Sequence, residues 1–106
     1  MIIGGDFNTI ANDPSSPTFL TYKFMLANGF SDAWSAANPN FPDATCCQED
    51  LTSSSSELTQ RLDQVFMRNH VTATGAQLVG AEEVDNVSWP SDHAAILAAG
   101  AVSRIF

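Results

Sequence analysis

The sequence predicts an α/β fold in which one main helix packs against short strands. The 106 residues are 44% hydrophobic, which suits a single folded domain over 1–106 with one core. Apolar runs bounded by Gly, Asn and Ser predict about five or six strands. Apolar residues also recur at helical spacing between Phe19 and Ala27, which predicts the helix.

The first third of the chain is expected to contain one strand and this helix. Ile2 and Ile3 predict a buried strand over 1–7. A helix of about three turns should follow, with Ser16 as its cap, Pro17 at its first position and Asn28-Gly29 at its end. Its apolar face is expected to combine two sets of residues, which are Leu20, Phe24 and Ala27, and Phe19, Tyr22 and Leu26.

The remaining elements are strands separated by polar segments. Short strands are expected around 32–34, anchored by Trp34, and over 45–48, with a loop at 38–42 between them. The segments 61–67 and 71–79 predict two strands joined as a hairpin through 68–70. The apolar segment 94–102 predicts a last, buried strand.

The charge of the chain excludes one class of function. The formal net charge is −8, with 12 Asp and Glu against 4 Lys and Arg. Non-specific nucleic-acid binding draws its strength from Lys and Arg that neutralise phosphates, so it is not expected here. A small phosphate-bearing substrate, or one held through a metal ion, fits this charge better.

No segment approaches the roughly 20 apolar residues of a membrane span, and no signal peptide is recognisable, so a cytoplasmic protein is expected.

The two cysteines, Cys46 and Cys47, are adjacent in the sequence. A ring closed between neighbours is strained and gains little from so short a loop. Reduced thiols, buried or half-buried near a strand, are therefore expected. The alternatives are a redox pair or half of a metal site, although no Cys or His companion lies at zinc-like spacing.

Three short segments carry polar groups at predicted strand ends, and the first is Gly5-Asp6-Phe7-Asn8. The two-residue period of a strand points Asp6 and Asn8 to one side and Phe7 into the core. A carboxylate can orient or deprotonate a water, and an amide can donate to a phosphoryl oxygen. The alternative interpretation is an ordinary polar turn after a strand.

The second segment is Arg61-Leu62-Asp63-Gln64-Val65-Phe66, which places Asp63 inside a strong strand pattern. A buried carboxylate is costly unless it is paired or hydrogen-bonded. Arg61, two residues away on the same face, would make Asp63 a structural ion-paired residue. The alternative partner is a histidine held in one tautomer.

The third segment, Ser91-Asp92-His93, precedes the last predicted strand. There His93 can contact a phosphate oxygen, and Asp92 can reach a hydrated Mg²⁺. A purely structural His93 is the alternative. A Ser91–His93 nucleophile pair is disfavoured, because the two residues are two apart and no nucleophile elbow surrounds Ser91.

Taken in order, the three segments resemble the endonuclease/exonuclease/phosphatase superfamily, the metal-dependent phosphoesterases related to pancreatic-type deoxyribonucleases and sphingomyelinases. The resemblance extends from the first strand to the last and concerns the C-terminal half of the family domain. It implies half of a four-layer α/β sandwich, with one mixed, mostly antiparallel sheet and one main helix.

The resemblance also implies a role for each polar residue. Asp6 would position and activate the attacking water, and Asn8 would stabilise charge on the phosphoryl group. Asp63 would orient His93, which would contact the scissile phosphate, so that Asn8 and His93 both bind substrate. Asp92 would help to hold Mg²⁺ or Mn²⁺.

The first half of the family domain carries an Asn and a Glu that bind the metal, and the sequence shows no counterpart of either. A single chain is therefore expected to have an incomplete site, with metal binding weak or absent. Two functions stay open at this point. One is divalent-metal-dependent hydrolysis of phosphate esters, favoured by the retained polar residues. The other is a non-catalytic half-domain or assembly module, favoured by the missing Glu.

Apolar residues on both sides of the strands predict a second copy of the chain as a partner. One helix covers one sheet face, and a bare apolar face of more than a few hundred Å² is rare on a soluble monomer. A homodimer, or a larger even-numbered assembly, would cover this face about a two-fold axis. The residues that suggest it are Ile2, Ile3, Leu62, Val65, Phe66, Met67, Ile96 and Leu97.

Overall fold

The computed structural model describes residues 1–41 and 43–104, and its helices and strands confirm the α/β class. Within these residues the chain forms five strands and two helices. In chain order they are β1 (Ile2–Asp6), α1 (Phe19–Ala27), β2 (Ser31–Asp32), α2 (Ala33–Ala37), β3 (Asp63–Met67), β4 (Val71–Val79) and β5 (Ala95–Val102).

The strands form two antiparallel sheets instead of a single one. A three-stranded sheet has the order β1–β3–β2, and β4 pairs with β5 in a separate two-stranded sheet. The predicted hairpin between 61–67 and 71–79 is wrong. Because β1 pairs along one edge of β3 and β2 pairs with Phe66 and Met67 on the other, the end of β3 next to 68–70 has no free edge for β4.

The register of β1 against β3 places the predicted site residues on one face of the sheet and the core residues on the other. Ile3 lies opposite Phe66, and Asp6 lies opposite Asp63. Directly opposed residues share a face, and successive residues alternate between faces. Asp6 and Asp63 are therefore neighbours on the face opposite to Phe66.

The core forms around Phe66, which is fully buried. The aromatic rings of Phe7 and Tyr22 pack against it with centroids 5.1 and 5.9 Å away. Phe19 and Met25 are partly buried in the same cluster. The inward orientation predicted for Phe7 is thus confirmed, and α1 is held on the Phe66 face.

Helix α1 begins later and buries a narrower face than predicted. Its N-cap is Thr18, without a side-chain capping bond, and it ends at Asn28 as expected. Leu20 and Phe24 are 70% and 66% exposed, and Leu26 is also exposed. That part of the predicted apolar face is wrong, because the side of α1 that meets the sheet carries Phe19, Tyr22 and Met25.

Two short segments also differ from expectation. Trp34 lies in α2 and not in a strand, because the Asp32 carboxylate accepts the Trp34 backbone N–H at 3.0 Å and caps the helix. The segment 45–48 makes single β-bridges at Cys46 instead of a strand. Of the predicted loop 38–42, residues 38–41 are irregular and Pro42 lies outside the described residues.

Neither helix in the described parts of the chain has the length and apolarity to cross a bilayer.

Candidate active site

Three of the predicted site residues meet at one end of the β1–β3 pair. Asp6 is the last residue of β1, Asp63 is the first of β3, and His93 lies two residues before β5. The Nδ1 atom of His93 is 2.8 Å from Oδ2 of Asp63. Each of the three residues offers an oxygen or nitrogen atom within 4.8 Å of those of the other two. We call these residues the Asp6–Asp63–His93 cluster.

The two carboxylates of the cluster place negative charge close together, and His93 can carry a compensating positive charge. Carboxylates that lie directly opposite each other on two strands repel. The hydrogen bond that His93 donates to the Asp63 carboxylate raises the pKa of His93 above its usual 6.5. Partial burial opposes this shift, and the negative charges of Asp63, Asp92 and Asp6 add to it. A protonated imidazole therefore offsets the repulsion between Asp6 and Asp63.

The orientation of His93 leaves one ring nitrogen for chemistry. Nδ1 is engaged by Asp63, and the His93 and Asp63 side chains retain 29% and 20% exposure. A carboxylate on one nitrogen fixes the ring, so that Nε2 can donate to or accept from a bound group. The predicted geometry, with His93 as the partner of Asp63, is confirmed.

Arg61 is not the partner of Asp63, contrary to the alternative considered above. Its Nη1 atom lies 2.5 Å from Oδ2 of Asp32, and the two side chains are 5% and 1% exposed. The Tyr22 hydroxyl donates to the same carboxylate oxygen at 2.8 Å. The same-face argument fails because β3 begins at Asp63, so Arg61 lies before the strand and does not follow its alternation.

Asn8 and Asp92 lie beside the cluster. The backbone N–H of Asn8 donates to Oδ1 of Asp6 at 2.9 Å, and Asn8 adopts a left-handed φ of 52°. Asn tolerates this conformation better than most residues. Asp92 is exposed and accepts from the Ser91 hydroxyl at 3.2 Å. It is not a member of the ligand group found in the described residues, and its predicted role in metal binding stays a prediction.

The cluster has the donors that a divalent cation requires. Mg²⁺ is commonly held by one or two carboxylates and keeps several of its waters. Asp6 and Asp63 supply two adjacent carboxylates, and Asp6 is open to solvent. The group therefore fits a hard divalent ion.

The prediction of reduced cysteines is wrong, because a disulfide joins Cys46 to Cys47. Their expected place is confirmed: Cys46 is buried, Cys47 is half-buried, and Cys46 forms β-bridges with Gln60 and His93. The backbone N–H of Cys46 donates to the Gln60 carbonyl, and the Cys46 carbonyl accepts the Gln60 N–H, each at 2.9 Å. These bonds fix the main chain where the two sulfurs meet.

Nothing in the sequence indicates the role of Thr45, which lies near the cluster. Its side chain is fully buried, and its hydroxyl oxygen accepts the backbone N–H groups of Leu62 and Asp63, each at 3.1 Å. A single Thr before two cysteines carries no periodic signal. The sequence marked this segment only as a short predicted strand that contains two adjacent cysteines.

A comparison with known families agrees with the geometry of the site. A family model described as the Endonuclease/Exonuclease/phosphatase family matches residues 1–93 of the 106-residue chain. The match spans all three polar segments and the cluster they form. Comparison of the chain with curated proteins and with solved structures gives no match.

Proposed function

The chain belongs to the endonuclease/exonuclease/phosphatase family, and we propose that it hydrolyses phosphate esters with a divalent metal ion at the Asp6–Asp63–His93 cluster. The observation that carries the proposal is the joint placement of the three residues. Two carboxylates oppose each other across β1 and β3, and one of them holds His93 at 2.8 Å. A purely structural Asp63 would not require a second, exposed carboxylate beside it.

Each polar side chain of the site has its own role in the proposed hydrolysis. Asp6, exposed at the end of β1, orients the attacking water and accepts its proton. Asn8, beside it, donates from its amide to a phosphoryl oxygen. His93, held by Asp63 and carrying a raised pKa, presents a positive charge to the scissile phosphate.

The carboxylates of the cluster would hold the metal ion. Asp6 and Asp63 are the candidates from the geometry, and Asp92 is the further ligand that the family resemblance suggests. A divalent cation such as Mg²⁺ or Mn²⁺ supplies charge neutralisation at phosphoryl oxygens and lowers the pKa of coordinated water. We expect the site of a single chain to be incomplete and its affinity for metal to be weak.

Leu62, Phe66 and Met67 are buried within the chain, so the part of the predicted dimer surface that they formed is wrong. Exposed apolar side chains on the second sheet, Leu97 among them, instead support a homodimer as the working form. Val79 and Leu97 are 49% and 56% exposed, and they share one face of the β4–β5 pair with Ala95 and Ala99. We call these four residues the outer face. A second copy packed on it about a two-fold axis would remove this apolar surface from water.

Metal-dependent hydrolysis of bis-p-nitrophenyl phosphate tests the function. The chain should release nitrophenol with Mg²⁺ or Mn²⁺ and stop when the metal is chelated. His93→Asn should lower the rate by about 10²–10⁴-fold. His70→Asn is the matched control, because His70 is exposed and has a left-handed φ of 67° that Asn tolerates. Folded protein without metal-dependent turnover would instead support the non-catalytic assembly module.

A further inference from the structure

The segment from Thr45 to Gln48 joins the two parts of the chain that carry Asp63 and His93. The Thr45 hydroxyl accepts the N–H of Asp63, and the Thr45 carbonyl accepts the N–H of Ala94 at 2.7 Å. The N–H of Gln48 donates to the Asp92 carbonyl at 2.9 Å. We call 45–48 the brace, because its two ends bond to β3 and to the residues on either side of His93.

The disulfide lies in the middle of the brace. Thr45, which bonds to β3, comes directly before Cys46, and Gln48, which bonds to Asp92, comes directly after Cys47. Thr45 and Gln48 are both fully buried. A covalent ring between Cys46 and Cys47 reduces the number of conformations that the main chain between these two anchors can adopt. The relative position of β3 and the His93 segment therefore depends on a short, cross-linked stretch.

The disulfide borders a cavity on the side of Cys47, whereas Cys46 is buried. A cavity of about 590 Å³ is lined by both cysteines together with Leu51, Ser91 and Asp92, among others. Cys47 is the more exposed of the two cysteines. Glu49 and Asp92 are the charged residues of the lining, so the cavity admits a dithiol without other charges more readily than a thiol that also carries carboxylates.

We propose that the Cys46–Cys47 disulfide is a redox-sensitive brace that positions the Asp63–His93 pair, and that its reduction loosens this pair. The consequence for hydrolysis rests on the proposed function, whereas the loosening does not. Thr45, Cys46 and Cys47 act as positioning residues through Asp63 and His93.

The redox step is a thiol–disulfide exchange with a dithiol. One thiolate of the dithiol attacks Sγ of Cys47, breaks the S–S bond and releases the Cys46 sulfur, which takes up a proton. The second thiol of the dithiol then displaces Cys47, which also takes up a proton. Two electrons and two protons pass to the protein, which gains two thiols, and the dithiol becomes a cyclic disulfide.

Amide hydrogen exchange, followed by NMR on the whole chain before and after dithiothreitol, tests the proposal. The amides of Asp63, Ala94 and Gln48 should exchange at least about tenfold faster in the reduced protein. Two amides elsewhere serve as controls, Arg68, which donates to the Met1 carbonyl, and Asn38, which donates to the Trp34 carbonyl. Their exchange should change by less than about threefold. Reoxidation should restore the slow exchange at all three brace-dependent amides.

The Cys46→Ser/Cys47→Ser variant provides a second measurement without reductant. It should show fast exchange at Ala94 in buffer alone, and dithiothreitol should have no further effect on it. Unchanged exchange at Ala94 in the reduced native chain would overturn the proposal. Equal acceleration at Arg68 and Asn38 would also overturn it, because the disulfide would then support the fold as a whole. Exchange requires no turnover, so an inactive chain would count against the proposed function alone.

Discussion

Replacing Asp32 by Asn should destabilise the fold strongly, because it removes the negative partner of a buried cation. Arg61 and Asp32 lie 2.5 Å apart, with side chains only 5% and 1% exposed. The Asp32 carboxylate also accepts the Tyr22 hydroxyl at 2.8 Å and the Ser35 hydroxyl at 3.1 Å. An Asn amide would bring its own donors against these hydroxyl groups and leave the guanidinium charge without compensation.

The expected loss follows from the burial of the pair. Removing one partner of a buried ion pair costs about 3–5 kcal/mol. A domain of this size has a total unfolding free energy of about 5–15 kcal/mol, so the loss is a large part of it. At about 4 °C per kcal/mol, the melting temperature should fall by at least about 12 °C.

Urea unfolding followed by tryptophan fluorescence measures this loss. Trp34 reports on the site directly, because its backbone N–H donates to Asp32. Asp85→Asn is the matched control at an exposed carboxylate and should change stability by less than about 0.5 kcal/mol. The Asp32→Asn/Arg61→Met double variant should recover part of the loss, since no charge is then left unpaired. A loss below about 1 kcal/mol for Asp32→Asn would refute this account of the pair.

Three further predictions concern the site and the assembly. Asp63→Asn should lower the pKa of His93, as followed by NMR titration, because the Asp63 hydrogen bond is the main cause of its elevation. The stability that this pair contributes is fully present below pH 6.5 and is lost as pH rises through the raised pKa, so Asp63→Asn should remove that pH dependence from urea unfolding. Light scattering on a sizing column should give about twice the 11.3 kDa chain mass. The dimer fraction should rise at high salt, because salt screens the repulsion between the negatively charged chains. Leu97→Glu should give the monomer mass, whereas Val84→Glu should leave the dimer mass unchanged. Asn8→Ala should cost about 1–2 kcal/mol through its left-handed φ, and Asn8→Gly should cost less in the same unfolding assay.

Local patterns predicted where β4 and β5 lie but not how the strands pair. The predicted burial of the first and last strands is wrong, because Ile2 and Leu97 are 58% and 56% exposed. The bounds of β4 agree with the predicted 71–79, and β5 begins one residue after the predicted start. Alternation and β-branched residues are properties of the segment itself, so they can be read locally. Pairing depends on which strand edges are free, and the edges of β3 are taken by β1 and β2, which are distant in sequence. A short connection at 68–70 therefore suggested a hairpin that the fold does not form.

The part of the candidate site that could be predicted is the pairing of Asp63, because a carboxylate within a strand requires a partner. Asp63 inside a strand needs a group to offset its charge, and His93 is that group. The opposition of Asp6 and Asp63 was not predictable, because it depends on the register between β1 and β3. A shift of one residue would have moved Asp6 to the other face of the sheet.

The segment that holds the site was the least predictable part, since it has no regular structure of its own. Thr45 and Gln48 are polar yet fully buried, and only tertiary partners explain this. The Thr45 hydroxyl accepts two N–H groups at the start of β3. The Gln48 side-chain amide donates to the Glu57 carboxylate at 3.0 Å, and the Gln48 backbone N–H donates to the Asp92 carbonyl next to His93. The Asp63–His93 pair is thus flanked by hydrogen bonds to a disulfide-linked segment, and β3 and β5 do not pair with each other. A sequence motif that contains only Asp6, Asp63 and His93 therefore omits the residues that keep the pair together.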